Sequence, residues 1–205
     1  MILACGAWAC SGTPQQASDN GQPASESEAG VPAFKPFYVY ANKGARENHF
    51  APSGFMPNGK CVQFNDAWQK DCHSGKTCIK INYDVPCSLQ DQQWAGVYWL
   101  NPANNWGRQK GGFNLKGATR LTFWAKGESG GEQIQEFTIG GIEGDYPDSD
   151  KIVIGPVILS NEWKKYTMDL TGRDLSYISG GFAWSTEASV NPDGCTFYLD
   201  DIRFE

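Results

Sequence analysis

Thr119-Arg120-Leu121-Thr122-Phe123-Trp124-Ala125-Lys126 alternates strictly. Leu121, Phe123 and Ala125 fall on one side; Arg120, Thr122, Trp124 and Lys126 fall on the other. A repeat of two over this length is the mark of a half-buried β-strand, because successive side chains of an extended chain point to opposite faces. Cys78 to Asp84 repeats the pattern, with Ile79, Ile81 and Tyr83 inward, and Lys165 to Leu170 does so with Tyr166, Met168 and Leu170 inward. Phe37 to Tyr40, Trp94 to Leu100, Ile134 to Ile139, Lys151 to Leu159 and Thr196 to Phe204 are further strand candidates. Between them stand Gly111-Gly112, Gly130-Gly131, Gly140-Gly141, Gly180-Gly181 and Asn191-Pro192-Asp193-Gly194, all turn formers. No window carries a long helical period. Many short strands at this spacing predict an all-β sandwich.

Composition agrees. The chain has 205 residues, of which 40% are hydrophobic and 20% charged, enough to build one core. Its 24 Gly, 8 Trp, 8 Tyr and 11 Phe suit strands joined by tight turns. The formal net charge of -6, without a Lys/Arg cluster, argues against nucleic acid as a partner. There is no apolar run of about 20 residues, so no membrane-spanning helix is expected.

The first residues read differently from the rest. Ile2-Leu3-Ala4-Cys5 resembles a bacterial lipobox, which makes Cys5 a candidate lipidation site and residues 1–10 an anchor. Ser11 to Gly30 is rich in Ser, Gln, Asn, Glu, Ala, Gly and Pro and has no large apolar residue, so residues 11–33 are expected to form a disordered linker. The folded domain is expected over residues 34–205. An extracytoplasmic place, at the bacterial cell surface or in the periplasm, follows from that reading. The membrane is then met only through the lipid, and the protein is expected to be a monomer.

Several motifs occur in a characteristic order. Leu121-Thr122-Phe123-Trp124-Ala125-Lys126-Gly127 leads to Gly130-Gly131-Glu132, then to Glu162-Trp163 and Tyr166-Thr167-Met168-Asp169-Leu170, and finally to Thr196-Phe197-Tyr198-Leu199-Asp200-Asp201-Ile202. This order resembles the jelly-roll carbohydrate-binding modules of the galactose-binding-like superfamily. The resemblance spans Phe34 to Glu205, with its specific motifs mainly after Trp94. It implies a jelly-roll β-sandwich of two antiparallel sheets that binds a polysaccharide or oligosaccharide without catalysis. In such modules the first Asp of the closing Asp-Asp pair commonly helps hold a structural calcium. That implies Ca2+ at Asp200, with Glu47 and Asn48 of the first folded segment available as partners.

The residues themselves also suggest sugar. A pyranose presents a patch of C–H bonds that packs on the face of an aromatic ring, while nearby amides and charged groups satisfy its hydroxyls. Trp94 to Arg108 holds Trp94, Tyr98 and Trp106 with Asn104, Asn105 and Arg108. Alternation places Trp94 and Tyr98 on one face and Val97 and Trp99 on the other, and the second pair is expected in the core. Trp124 shares its face with Arg120, and Trp184 is expected on an outer face too. Trp68 and Trp163 are expected in the core.

Enzymatic chemistry finds little support. Glu128, Glu132, Glu136, Glu143 and Asp145 are close in sequence, but glycoside hydrolysis needs two carboxylates about 5–10 Å apart across a cleft. His49 and His73 lack metal-ligand spacing, and no G-x-S-x-G elbow, phosphate loop or dinucleotide fingerprint occurs. The cysteines fit an oxidising compartment: Cys61, Cys72 and Cys87 flank turns, and the simplest disulfide joins Cys61 to Cys72. Cys78 is expected as a buried thiol, while Cys195 pairs with Cys87 or stays free. Two function classes remain open: a surface carbohydrate binder, and an envelope adaptor that docks another protein. A small glycosidase or lyase is a third.

Overall fold

A computed structural model of the chain describes residues 34–57, 59–85 and 92–205. Cys5, the anchor over 1–10, the linker over 11–33 and Cys87 lie outside these residues. Every strand pair is antiparallel. One sheet runs in the order β11 (Lys164–Asp169), β6 (Arg120–Gly127), β13 (Cys195–Phe204), β4 (Cys78–Tyr83) and β3 (Val62–Trp68), and β1 (Phe37–Tyr40) also pairs with β13. The second runs β2 (Ala51–Met56), β5 (Trp94–Leu100), β12 (Gly180–Glu187), β8 (Glu136–Gly140) and β9 (Lys151–Ile154). A ribbon of β7 (Gln133–Ile134) and β10 (Val157–Ile158) completes the jelly-roll sandwich.

The inward stripe of each strand is what closes the two sheets on one another. Leu121, Phe123 and Ala125 of β6 and Ile79, Ile81 and Tyr83 of β4 are buried, as alternation requires. They meet Val97 and Trp99 of β5, Phe137 and Ile139 of β8 and Phe182 of β12 in one core. Rings bridge the two layers: Phe123 lies 4.6 Å from Phe137 and 5.1 Å from Phe182, and Trp184 lies 5.0 Å from Phe197, centroid to centroid. These separations fall in the range where aromatic pairs attract beyond simple burial.

Several strands differ from the sequence expectation, each for a physical reason. β2 contains Pro52 and Gly54, which weaken a strand signal; Pro52 is tolerated because β2 is the edge of its sheet. β12 begins with Gly180-Gly181, which reads as a turn. In β3 a register irregularity between Asn65 and Trp68 breaks the alternation. The expected strand Lys151 to Leu159 is divided at Gly155-Pro156 into β9 and β10.

The disulfide expectation is corrected. Cys72 is bonded to Cys78, with Cα atoms 5.4 Å apart, so Cys78 is not a free thiol and Cys61 is not the partner of Cys72. The reason is the length of β3: Cys61 precedes it and Cys72 follows it, and seven extended residues span about 20 Å. The turn after β3 instead folds Cys72 back onto the start of β4. Cys61 is itself disulfide-bonded. Cys195 is a buried free thiol, and burial pushes its pKa up to about 12.

Candidate functional site

The open face of the five-stranded sheet is built from the residues that alternation turns away from the core. On β5 these are Trp94, Gly96 and Tyr98, while Val97 and Trp99 are buried. Register places Gly96 beside Met56 and Ser185, and Ser185 beside Glu136. One step along, Gly54, Tyr98, Ala183, Thr138 and Val153 form the next row across the sheet. The middle of the face therefore carries Gly96, Ala183 and Ser185, too small to rise above the backbone. Larger side chains stand around them.

The result is a trough with two adjoining depressions. One, of about 200 Å³, is lined by Met56, Trp94, Tyr98, Glu136, Lys151 and Ser185, among others. Its neighbour, of about 280 Å³, shares Trp94 and Glu136 and adds Gln135, Thr186 and Glu187. The low floor depends on glycine: a Cβ at Gly96 would lie 2.6 Å from the Trp184 carbonyl oxygen and 3.0 Å from Met56 Cε.

Trp106 extends the same face beyond Tyr98. It is 39% exposed and meets Tyr98 edge to face at 5.8 Å. It lies directly over β2, where a Cβ at Gly54 would fall 2.8 Å from Trp106 Cζ2. The loop that carries it is held from within by Asn105. That side chain donates to the Gln109 carbonyl at 2.9 Å and accepts from the Arg108 and Gln109 N–H groups at 3.2 and 3.3 Å. The backbone N–H of Asn104 donates to Ser53 Oγ at 2.9 Å and ties the loop to β2. Tyr98 is anchored too: its hydroxyl donates to the Gly140 carbonyl at 3.0 Å, and burial raises its pKa.

Polar groups on the trough are not all committed. Glu187 accepts from Gln135 Nε2 and from Ser189 Oγ, and these hydrogen bonds lower its pKa. The Glu136 carboxylate and the Lys151 ammonium, in contrast, take part in none of the hydrogen bonds or ion pairs among the described residues. Both are exposed at the rim. An apolar-walled trough edged with uncommitted donors and acceptors can hold a ligand that is part C–H surface and part hydroxyl.

The sequence-derived site residues thus separate into groups. Trp94, Tyr98 and Trp106 come together, with Asn104 and Arg108 exposed on the adjoining loop. Asn105, 1% exposed, organises that loop instead of facing a ligand. Trp184 is corrected outright: it is 1% exposed and packs on Phe197 in the core, because its position in β12 has the parity of Phe182. Trp124 and Arg120 lie on the far sheet. Trp124 is stacked under His73 at 3.6 Å, and burial lowers the His73 pKa. Arg120 pairs with Glu205 at 3.2 Å. Trp68 and Trp163, expected inside, are only half-buried on that outer face.

Alternation missed Met56, Glu136, Lys151 and Ser185. Glu136 and Lys151 were legible as outward positions of their strands; Ser185 and Met56 were not, because β12 and β2 were themselves hidden.

Asp200 is fully buried. Its carboxylate accepts the Ser74 N–H at 2.9 Å and the Asp201 N–H at 2.8 Å. Desolvation by burial raises its pKa to about 6 in spite of these bonds. Asn48 spends its amide inside its own turn, accepting from Ala41 N and donating to the Asn42 carbonyl. The hydrogen bonds of Asp200 run to the Ser74 and Asp201 backbone, and those of Asn48 stay within residues 41–48. Among the described residues no cluster of three or more His, Cys, Asp or Glu side chains is placed to hold a metal. Of the acids considered for catalysis, Glu128 accepts from the Tyr198 hydroxyl and Glu132 accepts the Ser129 N–H at 2.7 Å, while Glu136 is the uncommitted carboxylate of the trough rim.

No protein-family model matches the chain, and no curated protein does. Solved structures do match in shape. A family 30 carbohydrate-binding module superposes with a TM-score of 0.55 at 15% identity, over 83% of this chain and 98% of that one. The family 30 module of a cellulosomal cellulase of Clostridium thermocellum gives 0.52 at 13% identity, over 83% and 97%. At such identities the likeness shows the fold, and function must be argued from the site.

Proposed function

We propose that this chain is a non-catalytic carbohydrate-binding domain, and that a polysaccharide lies along the open face of the five-stranded sheet. The observation that carries the reading is the trough itself. Its floor of Gly96, Ala183 and Ser185 lets a chain approach the backbone, Trp94 and Trp106 offer ring surface, and Glu136 and Lys151 stand uncommitted at the rim. The fold shared with modules whose names state carbohydrate binding supports it. An adaptor would expose a broad apolar patch. Here the exposed large hydrophobics among the described residues are Trp106, Tyr146, Val153 and Ile158. Val153 is on the trough face and Tyr146 hydrogen-bonds through its N–H to Gly107 beside Trp106, while Ile158 stands alone on the β7–β10 ribbon, so the four do not form one broad patch. Cys5 and the polar stretch after it support a lipid tether that presents the domain outside the cytoplasm.

A panel of neutral plant and bacterial polysaccharides in affinity gel electrophoresis tests the reading. Retardation by at least one neutral polymer, abolished in Trp94→Ala with the fold intact by circular dichroism, is the expected result. No retardation by any polymer overturns it.

A further inference from the structure

We infer that the outer face of the six-stranded sheet carries a second ligand surface, built for an acidic polysaccharide. It lies on the opposite side of the sandwich from the trough and does not rest on that reading. Alternation on β4, β13 and β6 turns Lys80, Tyr198 and Lys126 outward in one row, since Lys80 pairs with Tyr198 and Tyr198 with Lys126. Asn65 ends this row on β3, and the Trp68 ring, farther along the same edge strand, reaches over it to within 6.3 Å of the Tyr198 ring, where a long polymer can run past without meeting a further strand. A depression of about 270 Å³ is lined there by Gln63, Asn65, Trp68, Lys80 and Asn82, among others.

The charges decide the ligand class. Lys80 Nζ sits 4.5 Å from the Trp68 ring centroid and 5.5 Å from that of Tyr198, and Lys70 Nζ is 5.7 Å from Trp68. Neither ammonium has a carboxylate partner among the described residues. Of the nearby acids, Asp66 is paired with Lys43 and Asp71 with Lys126, while Glu128 accepts from the Tyr198 hydroxyl and pairs with neither ammonium. Two cations are thus held against a half-exposed indole without an ion-pair partner among the described residues. A sugar ring that carries a carboxylate or sulfate supplies both halves of the missing partner, an apolar face for Trp68 and an anion for the lysines. Asn65 and Gln63 border the same depression and match its hydroxyls.

The test is affinity electrophoresis of the full chain through polygalacturonate, with polyglutamate as a polyanion that lacks sugar. Polygalacturonate is expected to retard the native chain at about 50 mM salt and much less at about 500 mM, because the contact is between exposed charges. Lys80→Gln and Trp68→Ala are each expected to weaken retardation about tenfold, the loss of one charge-assisted contact or one stacking face. Trp94→Ala is expected to leave it unchanged. Lys80→Gln barely touches the core, so its result stands even where Trp68→Ala disturbs the fold. The inference is overturned if polygalacturonate does not retard the chain, if Lys80→Gln migrates like the native protein, or if polyglutamate retards it equally. Binding of neutral polymers at the trough is read separately through Trp94→Ala, so the two readings fail independently.

Discussion

Trp106→Ala removes the most exposed ring of the trough, and its effect is calculable. The residue leaves 39% of its surface open. For a side chain of about 250 Å² that is roughly 100 Å² available to a sugar. At about 25 cal/mol per Å², full cover by ligand contributes about 2.5 kcal/mol and half cover about 1.2 kcal/mol. The dissociation constant for a neutral polysaccharide is then expected to rise between about tenfold and about seventyfold. Gly54→Ala reaches the same ring from below. Its new Cβ lies 2.8 Å from Trp106 Cζ2 and 2.9 Å from Tyr98 Cβ, so the indole must shift or tilt, and affinity should fall although every original side chain remains. Isothermal titration with an oligosaccharide taken from the best polymer measures both variants. Trp163→Ala, on the far sheet, serves as the control. If Trp106→Ala and Gly54→Ala both bind within about twofold of the native chain, while folded, Trp106 is not a platform and the trough argument fails.

Three further outcomes follow from the same contacts. The Asp200 carboxyl rises from its ordinary 3.8 to about 6 on folding, chiefly through burial, so the native state holds this proton more tightly than the unfolded chain. Its contribution is therefore fully present below about pH 4 and lost as pH rises through about 6. Thermal scans from pH 4 to 7 should show that slope in the native chain and not in Asp200→Asn; parallel profiles refute it. Chelation by EDTA should leave the melting temperature unchanged, since backbone N–H groups occupy the Asp200 carboxylate; a calcium-dependent rise places an ion there instead. Replacing Cys72 and Cys78 with Ser should cost about 2 kcal/mol, or about 4–8 °C, from the entropy of a short closed loop. Neutral-sugar binding at the trough should persist in that variant, because the loop packs on the other sheet, where His73 covers Trp124 and the Asp71 carbonyl accepts from Trp163 Nε1.

How much of this was legible depended on whether a strand carried its own alternation. β5 and β6 did, so their inward and outward residues were assigned correctly, including the division of Trp94 and Tyr98 from Val97 and Trp99. β12 did not. Its glycine pair disguised its start, and without its parity nothing in the sequence separates Trp184, a core ring, from Ser185, a floor residue one position away. The two outer faces were also beyond reach. Trp94 and Trp124 both point away from the core, and only the pairing order shows that they leave by opposite sides. Trp68 and Trp163 were placed inside because large aromatics usually are; local charge decides otherwise, since Lys80 and Lys126 hold them at the surface by cation–π contact.

The two faces differ in how their charge is balanced, and that difference is the strongest argument for two ligands. The trough carries one free carboxylate and one free ammonium, Glu136 and Lys151, on neighbouring strands. Their fields oppose, and the Glu187 carboxylate, hydrogen-bonded only to uncharged groups, adds a further negative charge, so the trough disfavours an anion and suits a neutral polymer. At Trp68 the two ammonium groups act together against a chain of net charge -6. Overall charge repels a polyanion, and only a local excess of cations can hold one within a Debye length of about 8–10 Å. Salt therefore separates the surfaces more cleanly than any single substitution. Raising ionic strength should release an acidic glycan from the Lys80 face and leave a neutral one in the trough. Equal salt sensitivity for both ligands would mean that one surface binds both.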